Sequence, residues 1–229
     1  MSATRARTPR RGISGNDISV PRPTVFLIDG SSQMYRAYHA FRGKGLSNQE
    51  GQTTHAVYVF VTMLRKLIAD HRPTYIAASF DLKGPTFRDA EYPEYKANRP
   101  SMPDPLAAQI EPLKEAIAAL GWPVLTIEGV EADDVIATLA DQARRNGWRT
   151  VISTGDKDLA QLVDEQVTLV NTMSNETLDP AGVRQKFGVS PDQIVDYLAL
   201  TGDAVDNVPG VDKVGPKTAA KWIQQYGSL

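Results

Sequence analysis

Four apolar runs, each leading into acidic residues, organise the hydrophobic pattern of this chain. Thr24-Val-Phe-Leu-Ile runs into Asp29, and Tyr75-Ile-Ala-Ala-Ser-Phe runs into Asp81. Pro123-Val-Leu-Thr-Ile leads to the stretch GVEADD with Glu131, Asp133 and Asp134, and Thr150-Val-Ile-Ser-Thr-Gly leads to Asp156 and Asp158. Short β-rich runs alternating with helical periodicity predict an α/β fold around a mostly parallel sheet flanked by helices. In such sheets ligands bind beyond the carboxyl ends of the strands, so the acids are expected along one edge.

Between the runs the spacing predicts helices. Ser31 and Ser32 are placed to cap one that reaches about Phe41, and a Gly-rich loop follows. A second runs from about Thr54 to Asp70, with Val57, Val61, Leu64 and Ile68 on one face. The third acid cluster opens a helix whose buried stripe is Val135, Ile136, Leu139, Ala140 and Ala143, with Gly147 at its end. Ser190-Pro191 with Gln193 forms a helix start of capping-box type, carrying Ile194, Val195, Leu198 and Leu200 towards Gly202. Pro112, inside an otherwise helical run, implies a kink or a fresh helix start.

Convergence of the acids has an energetic consequence. Two like charges 4 Å apart repel by about 4 kcal/mol at an effective dielectric near 20. A crowd of carboxylates therefore takes up protons or binds cations. Oxygen donors alone, in a chain without Cys and with no His beside the acids, suit Mg²⁺ or Mn²⁺ better than Zn²⁺. The competing reading, turn and cap chemistry at each strand end, accounts for single acids but not for the whole set.

The net charge of −2 over 229 residues neither demands nor excludes nucleic acid, so distribution matters more. Basic residues gather between 83 and 99, where Lys83, Arg88, Lys96 and Arg99 alternate with Phe87, Tyr92 and Tyr95 among several prolines. Such a mixture suits a single nucleic-acid strand, charges following phosphates and rings stacking on bases; a solvated loop balanced by Asp89, Glu91 and Glu94 is the alternative. No apolar stretch reaches the roughly 18–20 residues that span a bilayer. The first 22 residues, rich in Arg, Ser, Thr, Pro and Gly, read as a disordered basic tail.

Near the C-terminus, Asn207-Val-Pro-Gly-Val-Asp-Lys-Val-Gly-Pro-Lys-Thr-Ala-Ala reads as a tight turn entering a helix at Pro216. Gly210 and Gly215 would let backbone approach a phosphate, Val211 and Val214 would anchor the turn, and Lys217 and Thr218 lie at the helix start. This is a helix-hairpin-helix pattern, which holds DNA backbone without reading sequence. Asp203 and Asp206, just before it, bring the acidic set to nine.

The motifs FLIDGSSQMYRAYHA, FRDAEYPEYKANRPSMP, GVEADDVIATLA, STGDKDLAQLV and LTGDAVDNVPGVDKVGPKTAAKW together resemble the bacterial 5′ nuclease family. The likeness covers residues 24–229. It is specifically to the 5′→3′ exonuclease domain at the N-terminus of DNA polymerases I, with flap endonucleases as distant relatives. The resemblance implies a PIN-like core over 23–185 with an arch segment at 83–104, and a helix-hairpin-helix region over 186–229. It also implies two Mg²⁺ or Mn²⁺ ions. Asp29, Asp81, Glu131 and Asp133 would surround the first, and Asp133, Asp156, Asp158 and Asp203 the second. Asp134 and Asp206 would be outer ligands. Lys96 and Arg99 match positions that contact the scissile phosphate and the threaded strand. A K⁺ ion at the hairpin, near Val208, Gly210, Val211 and Val214, is a further family expectation.

The partners implied are DNA with a 5′ flap, nick or junction, and no membrane, for a monomeric bacterial cytoplasmic enzyme active in primer removal and DNA repair. The chain stops soon after the second hairpin helix, where family members continue with further helices, and so reads as a fragment, as of a DNA polymerase I. Two other classes compete. A PIN-like ribonuclease also gathers acids at strand ends but has neither arch nor hairpin. A non-catalytic DNA-binding module would keep the hairpin and lose the metal site. An aspartyl-nucleophile phosphatase fits poorly, because Gly-Ser rather than a second acid follows Asp29.

Overall fold

The computed structural model describes residues 22–40, 45–172 and 174–229; the basic tail up to residue 21, the end of the first predicted helix at Phe41 and part of the Gly-rich loop lie outside them. The chain runs β1 (Thr24–Asp29), α1 (Gly30–Ala40), α2 (His55–His71), β2 (Tyr75–Ser79), α3 (Phe87–Glu91), α4 (Asp104–Ala107) and α5 (Ile110–Ala119). It continues through β3 (Val124–Leu125), α6 (Ala132–Arg145), β4 (Arg149–Ser153), β5 (Val167–Asn171), β6 (Glu176–Leu178), α7 (Pro180–Phe187), α8 (Ile194–Thr201) and α9 (Pro216–Tyr226).

The six strands form one sheet in the order β3-β2-β1-β4-β5-β6. β1 to β5 are parallel, and β6 closes the edge antiparallel to β5. The chain moves outward from β1 in one direction through β2 and β3, then crosses back to β4 on the other side. The switch point therefore lies between β1 and β4, where an open α/β sheet leaves a crevice beyond its carboxyl ends. Asp29 ends β1 there, and Gly155 and Asp156 follow β4.

Alternation along β1 sends Phe26 and Ile28 to one face and Leu27 to the other, and each face carries its own core. Phe26 and Ile28 pack with Met34, Phe60, Leu64, Leu67, Leu113 and Ile117 from α1, α2 and α5. Leu27 packs with Ile136, Ala140, Ile152, Ile194, Leu200 and Ile223 under α6, α8 and α9. The hairpin region thus shares a core with the sheet.

The predicted helices form, with corrections in detail. In α2 the buried stripe is Ala56, Phe60, Leu64 and Leu67, with Val57 and Val61 packed alongside and Ile68 half-buried. α6 buries Val135, Ile136, Ala140 and Ala143 as expected, with Leu139 packed alongside. The capping box of Ser190 and Gln193 is present on a short 3₁₀ turn that leads into α8. Val195, however, faces solvent at 55 % exposure, and Tyr197 takes the inward position. Pro112 is the third residue of α5, so it marks a fresh start. The third acidic run does not end a strand: β3 stops at Leu125, and Glu131 instead occupies the N-cap of α6.

Candidate metal centre and nucleic-acid interface

Asp29 sits at the switch point with only 3 % exposure. Its Oδ1 accepts from the Ser32 N–H at 2.9 Å, so Asp29 itself caps α1, in place of the serines expected there. The two serine hydroxyls instead join neighbouring strand ends, Ser31 accepting from the Asp81 N–H and Ser32 from the Gly155 N–H. Thr154 supplies a relay at the end of β4. Its hydroxyl donates to Asp29 Oδ2 at 2.7 Å and accepts from the Asp156 N–H at 2.9 Å.

Further acids gather around this point. Asp81 Oδ1 accepts from the Ala132 N–H at 2.8 Å, which binds the end of β2 to the start of α6. Glu131 and Asp134 form a reciprocal capping box on α6, and Asp133 faces the crevice from its first turn. Burial drives the Asp133 carboxyl up to about 8, helped by repulsion from Asp29, Asp156, Asp81 and Glu131. Burial likewise lifts Asp29 to about 6, against its two hydrogen bonds and with Asp81 and Asp156 adding to the rise. Asp158 rises to about 6 for the same reasons, burial first and Asp156 second.

Protein cations meet the rest of the set. Arg88 makes a two-pronged pair with Asp134, at 2.7 and 2.8 Å, and holds that carboxyl below the usual range. Lys96 Nζ lies 2.5 Å from Glu131 and 3.9 Å from Asp206, and Arg99 pairs with Asp206. Lys157 pairs with Asp203 and stands 3.5 Å from Asp158. The Tyr95 hydroxyl lies between Glu131 (3.0 Å) and Asp206 (3.1 Å), donating to one at a time, and burial beside those charges raises its pKa.

All nine predicted acids therefore lie along one edge, linked to one another through repulsion, shared cations or a shared hydroxyl. They do not close into a single chelating pocket. Among the described residues, no three acidic or imidazole groups are arranged to hold an ion as they stand. Four of the nine, Glu131, Asp134, Asp203 and Asp206, are instead paired with the cations just described. The donor chemistry nevertheless fits a hard divalent ion. It is oxygen throughout, burial opposes the charge of Asp29, Asp133 and Asp158, and Asp158 Oδ1 is buried without a hydrogen-bond partner.

The arch segment comes down onto this edge and onto the hairpin. After α3 the chain runs through turns, and Lys96 adopts a left-handed backbone with φ 57°. Its N–H donates to the Asp206 carbonyl at 2.9 Å, which aims the ammonium at the acids. Asn98 and Asn207 pin the two segments together through the Ala204 and Glu94 carbonyls. Lys83 is exposed at the arch entrance.

In the hairpin, α9 starts at Pro216 with Gly215 as N-cap, and Val214 is buried as expected. Val211 is not an anchor, being 48 % exposed. Gly210 has a packing role: a Cβ there would lie 2.4 Å from the Thr201 backbone carbon and 2.5 Å from the Gly202 nitrogen. Gly215, by contrast, faces open space. The N–H groups of Thr218 and Ala219 donate to the Gly215 carbonyl, so they are not free for an anion. Lys217 is exposed beside them. Of the carbonyls expected around K⁺, those of Val208 and Val211 accept from Asp203 and Val214.

Sequence reading missed Thr154, Lys157 and the bridging role of Tyr95. It also left Arg36 without a place. That guanidinium donates to Asn171 at 3.0 Å and fills the space a Cβ at Gly155 would need, beside Asp156.

Residues 24–188 match the family model described as the 5′-3′ exonuclease, N-terminal resolvase-like domain. The chain belongs to the 5′–3′ exonuclease family. Residues 189–229 of this exonuclease-family chain match the model for the 5′-3′ exonuclease, C-terminal SAM fold. DNA polymerase I of Pseudomonas aeruginosa is 55 % identical over 203 residues, covering 89 % of this chain and 22 % of that protein. A 5′-3′ exonuclease of Aquifex aeolicus is 46 % identical over 206 residues, covering 90 % of this chain and 71 % of the relative. The chain thus spans about a fifth of the polymerase relative's length.

Among solved structures, the bacteriophage T5 5′-exonuclease with bound zinc superposes at TM-score 0.74 and 23 % identity, covering 90 % of this chain and 76 % of that one. The bacteriophage T5 flap endonuclease in a pseudo-enzyme–product complex with DNA and metal ions gives 0.74 at 22 % identity, with the same coverage. These likenesses confirm the fold expected from the alternating pattern.

Proposed function

We propose that this exonuclease-family chain hydrolyses DNA phosphodiester bonds at 5′ ends or flaps, near single-strand/duplex junctions, with two divalent ions. The observation that carries the reading is Asp133: a carboxyl in the first turn of α6, pushed to about 8 by burial and by four neighbouring acids. A group so placed either takes up a proton or is offset by a cation, and the acids gathered round it supply the oxygen donors a divalent ion needs. Asp29, Asp81, Glu131 and Asp133 would hold one ion. Asp133, Asp156, Asp158 and Asp203 would hold the other, with Asp134 and Asp206 outside them. When bound, divalent ions supply a nucleophilic water at neutral pH and offset charge on the leaving oxygen.

The chain's own residues do the positioning. Thr154, Ser32 and the Ala132 N–H fix the carboxylates of Asp29 and Asp81 before any ligand arrives. Lys96 and Arg99, which pair here with Glu131 and Asp206, would turn from those carboxylates to the scissile phosphate and offset its growing negative charge. Tyr95 keeps Glu131 and Asp206 close during that exchange. Gly215 and Lys217 face a phosphate of the duplex, and Lys83 and Arg88 lie along the path of the single strand. The products carry 5′-phosphate and 3′-hydroxyl ends.

The decisive assay incubates this chain with 5′-labelled flap, nicked and single-stranded DNA, with Mg²⁺ or with EDTA. Mg²⁺-dependent release of short 5′ products from flap and nicked DNA is expected. Cleavage in EDTA, or cleavage of RNA without regard to a 5′ end, would overturn the reading.

A further inference from the structure

The two halves of the acidic edge differ in one respect that the motif spacing does not reveal. Among the described residues, no Lys or Arg approaches Asp29, Asp81 or Asp133 within ion-pair distance, although Lys96 and Arg88 reach the neighbouring Glu131. The other half carries a cation of its own. Lys157 lies between Asp156 and Asp158 in sequence, with its ammonium paired to Asp203 and 3.5 Å from Asp158 Oδ1.

That placement is fixed from several directions. Asp203 Oδ1 accepts from the Val205 N–H at 2.7 Å and the Asp206 N–H at 3.3 Å, which leaves Oδ2 to Lys157. Asp156 Oδ1 accepts from the Asp158 N–H at 2.9 Å, tightening the turn that carries Lys157 between the two acids. A 3₁₀ helix, Asp158–Leu162, follows at once, and its Leu159 and Ala160 are buried in the core. The backbone on both sides of Lys157 is therefore anchored.

We infer that Lys157 is a built-in counter-cation for the Asp156, Asp158 and Asp203 group, so that this half binds a divalent ion more weakly than the other and loads second. The inference rests on the metal reading proposed above. An ion seated among Asp156, Asp158 and Asp203 needs the oxygens Lys157 holds, and two cations so close repel strongly. The ammonium must leave, and its side chain is 41 % exposed, so a path to solvent is open. In the other half Lys96 and Arg88 meet one ligand alone, Glu131, whereas Lys157 stands against two, Asp203 and Asp158, so the half containing Asp29, Asp81 and Asp133 fills first. Lys157 is in this account a positioning residue, setting ion affinity through the carboxylates it pairs with.

Titration of Mn²⁺ into the whole chain, with free Mn²⁺ counted by electron paramagnetic resonance, tests this without reference to activity. The wild-type chain is expected to bind two ions in separate steps. K157M should tighten the second step by about tenfold and leave the first unchanged, because one opposing charge is removed. K157R, which keeps the charge, should stay close to wild type, and thermal melts check that each variant folds. A second step unchanged or weakened in K157M would overturn the inference while leaving two-ion binding in place. Failure of all three proteins to bind Mn²⁺ would remove the metal reading itself, and this inference with it.

Discussion

Asp133 concentrates the conflict between burial and charge at this edge. Its neighbours Asp29, Asp81 and Asp156 oppose its ionisation, and no cationic side chain among the described residues pairs with it. Replacing it with Asn removes the charge and keeps the shape. In EDTA at pH 8, Asp133→Asn should raise the melting temperature by a few degrees, since about 1 kcal/mol corresponds to roughly 2–4 °C in a domain of this size. The same substitution should lower Mg²⁺-dependent cleavage by more than about 100-fold and leave DNA binding largely intact. Melting curves and single-turnover assays on one preparation check both halves. A variant that melts lower without metal would show that the carboxylate is satisfied in the fold.

At the scale of elements, the hairpin separates a packing glycine from an open one. Gly210 crosses the end of α8 so closely that Gly210→Ala should cost about 1–3 kcal/mol, read as a lower denaturation midpoint. Gly215 has φ −96° and open space around it, so Gly215→Val should leave the midpoint almost unchanged. It should instead weaken binding to all duplex sequences alike, because the proposed contact is to backbone. Sequence-selective loss would contradict that assignment.

The contrast also shows what the sequence made legible. Both glycines read alike in a turn motif, because a close crossing with Thr201 and Gly202 exists only once the chain has folded. α2 was legible as a helix but not in its facing. Ala56, Val57, Phe60, Val61, Leu64, Leu67 and Ile68 offer apolar groups over a wide arc, and the sheet face against Phe26 and Ile28 selects among them. The strand-end acids were visible because apolar runs lead to them. The pairings of Lys96 with Glu131 and of Arg99 with Asp206 were not, since 35 and 107 residues separate the partners. β5 and β6 carried no acidic marker and were not anticipated.

For the whole molecule, the acidic edge makes stability depend on pH in a definite direction. Asp29, Asp133 and Asp158 have folded-state pKa values above the ordinary value of 3.8, at about 6, 8 and 6. Each therefore favours the fold most below its ordinary pKa, and that contribution is lost as pH rises through the raised value. Asp134 and Asp203 act oppositely. Arg88 lowers the first; at Asp203 burial is the largest single influence and raises it, but the bonds from Lys157, Val205 and Asp206 together with the Lys157 charge outweigh it, so the contribution of both is lost as pH falls through the acid range. The metal-free chain should thus melt progressively lower from about pH 5 to pH 8.5. Mg²⁺ should reverse most of that fall by binding only the folded state. A melting temperature flat across this range in EDTA would mean that the carboxylates are not in opposition.

The most direct measurement is anomalous diffraction from crystals soaked in Mn²⁺, because it locates the ions instead of inferring them from rates. The account predicts one peak among Asp29, Asp81, Glu131 and Asp133 and a second among Asp133, Asp156, Asp158 and Asp203, with Lys157 turned away from Asp203. Crystals in which Mn²⁺ is absent from this edge, with the four ion pairs of Lys96, Arg99, Arg88 and Lys157 intact at saturating metal, would contradict it.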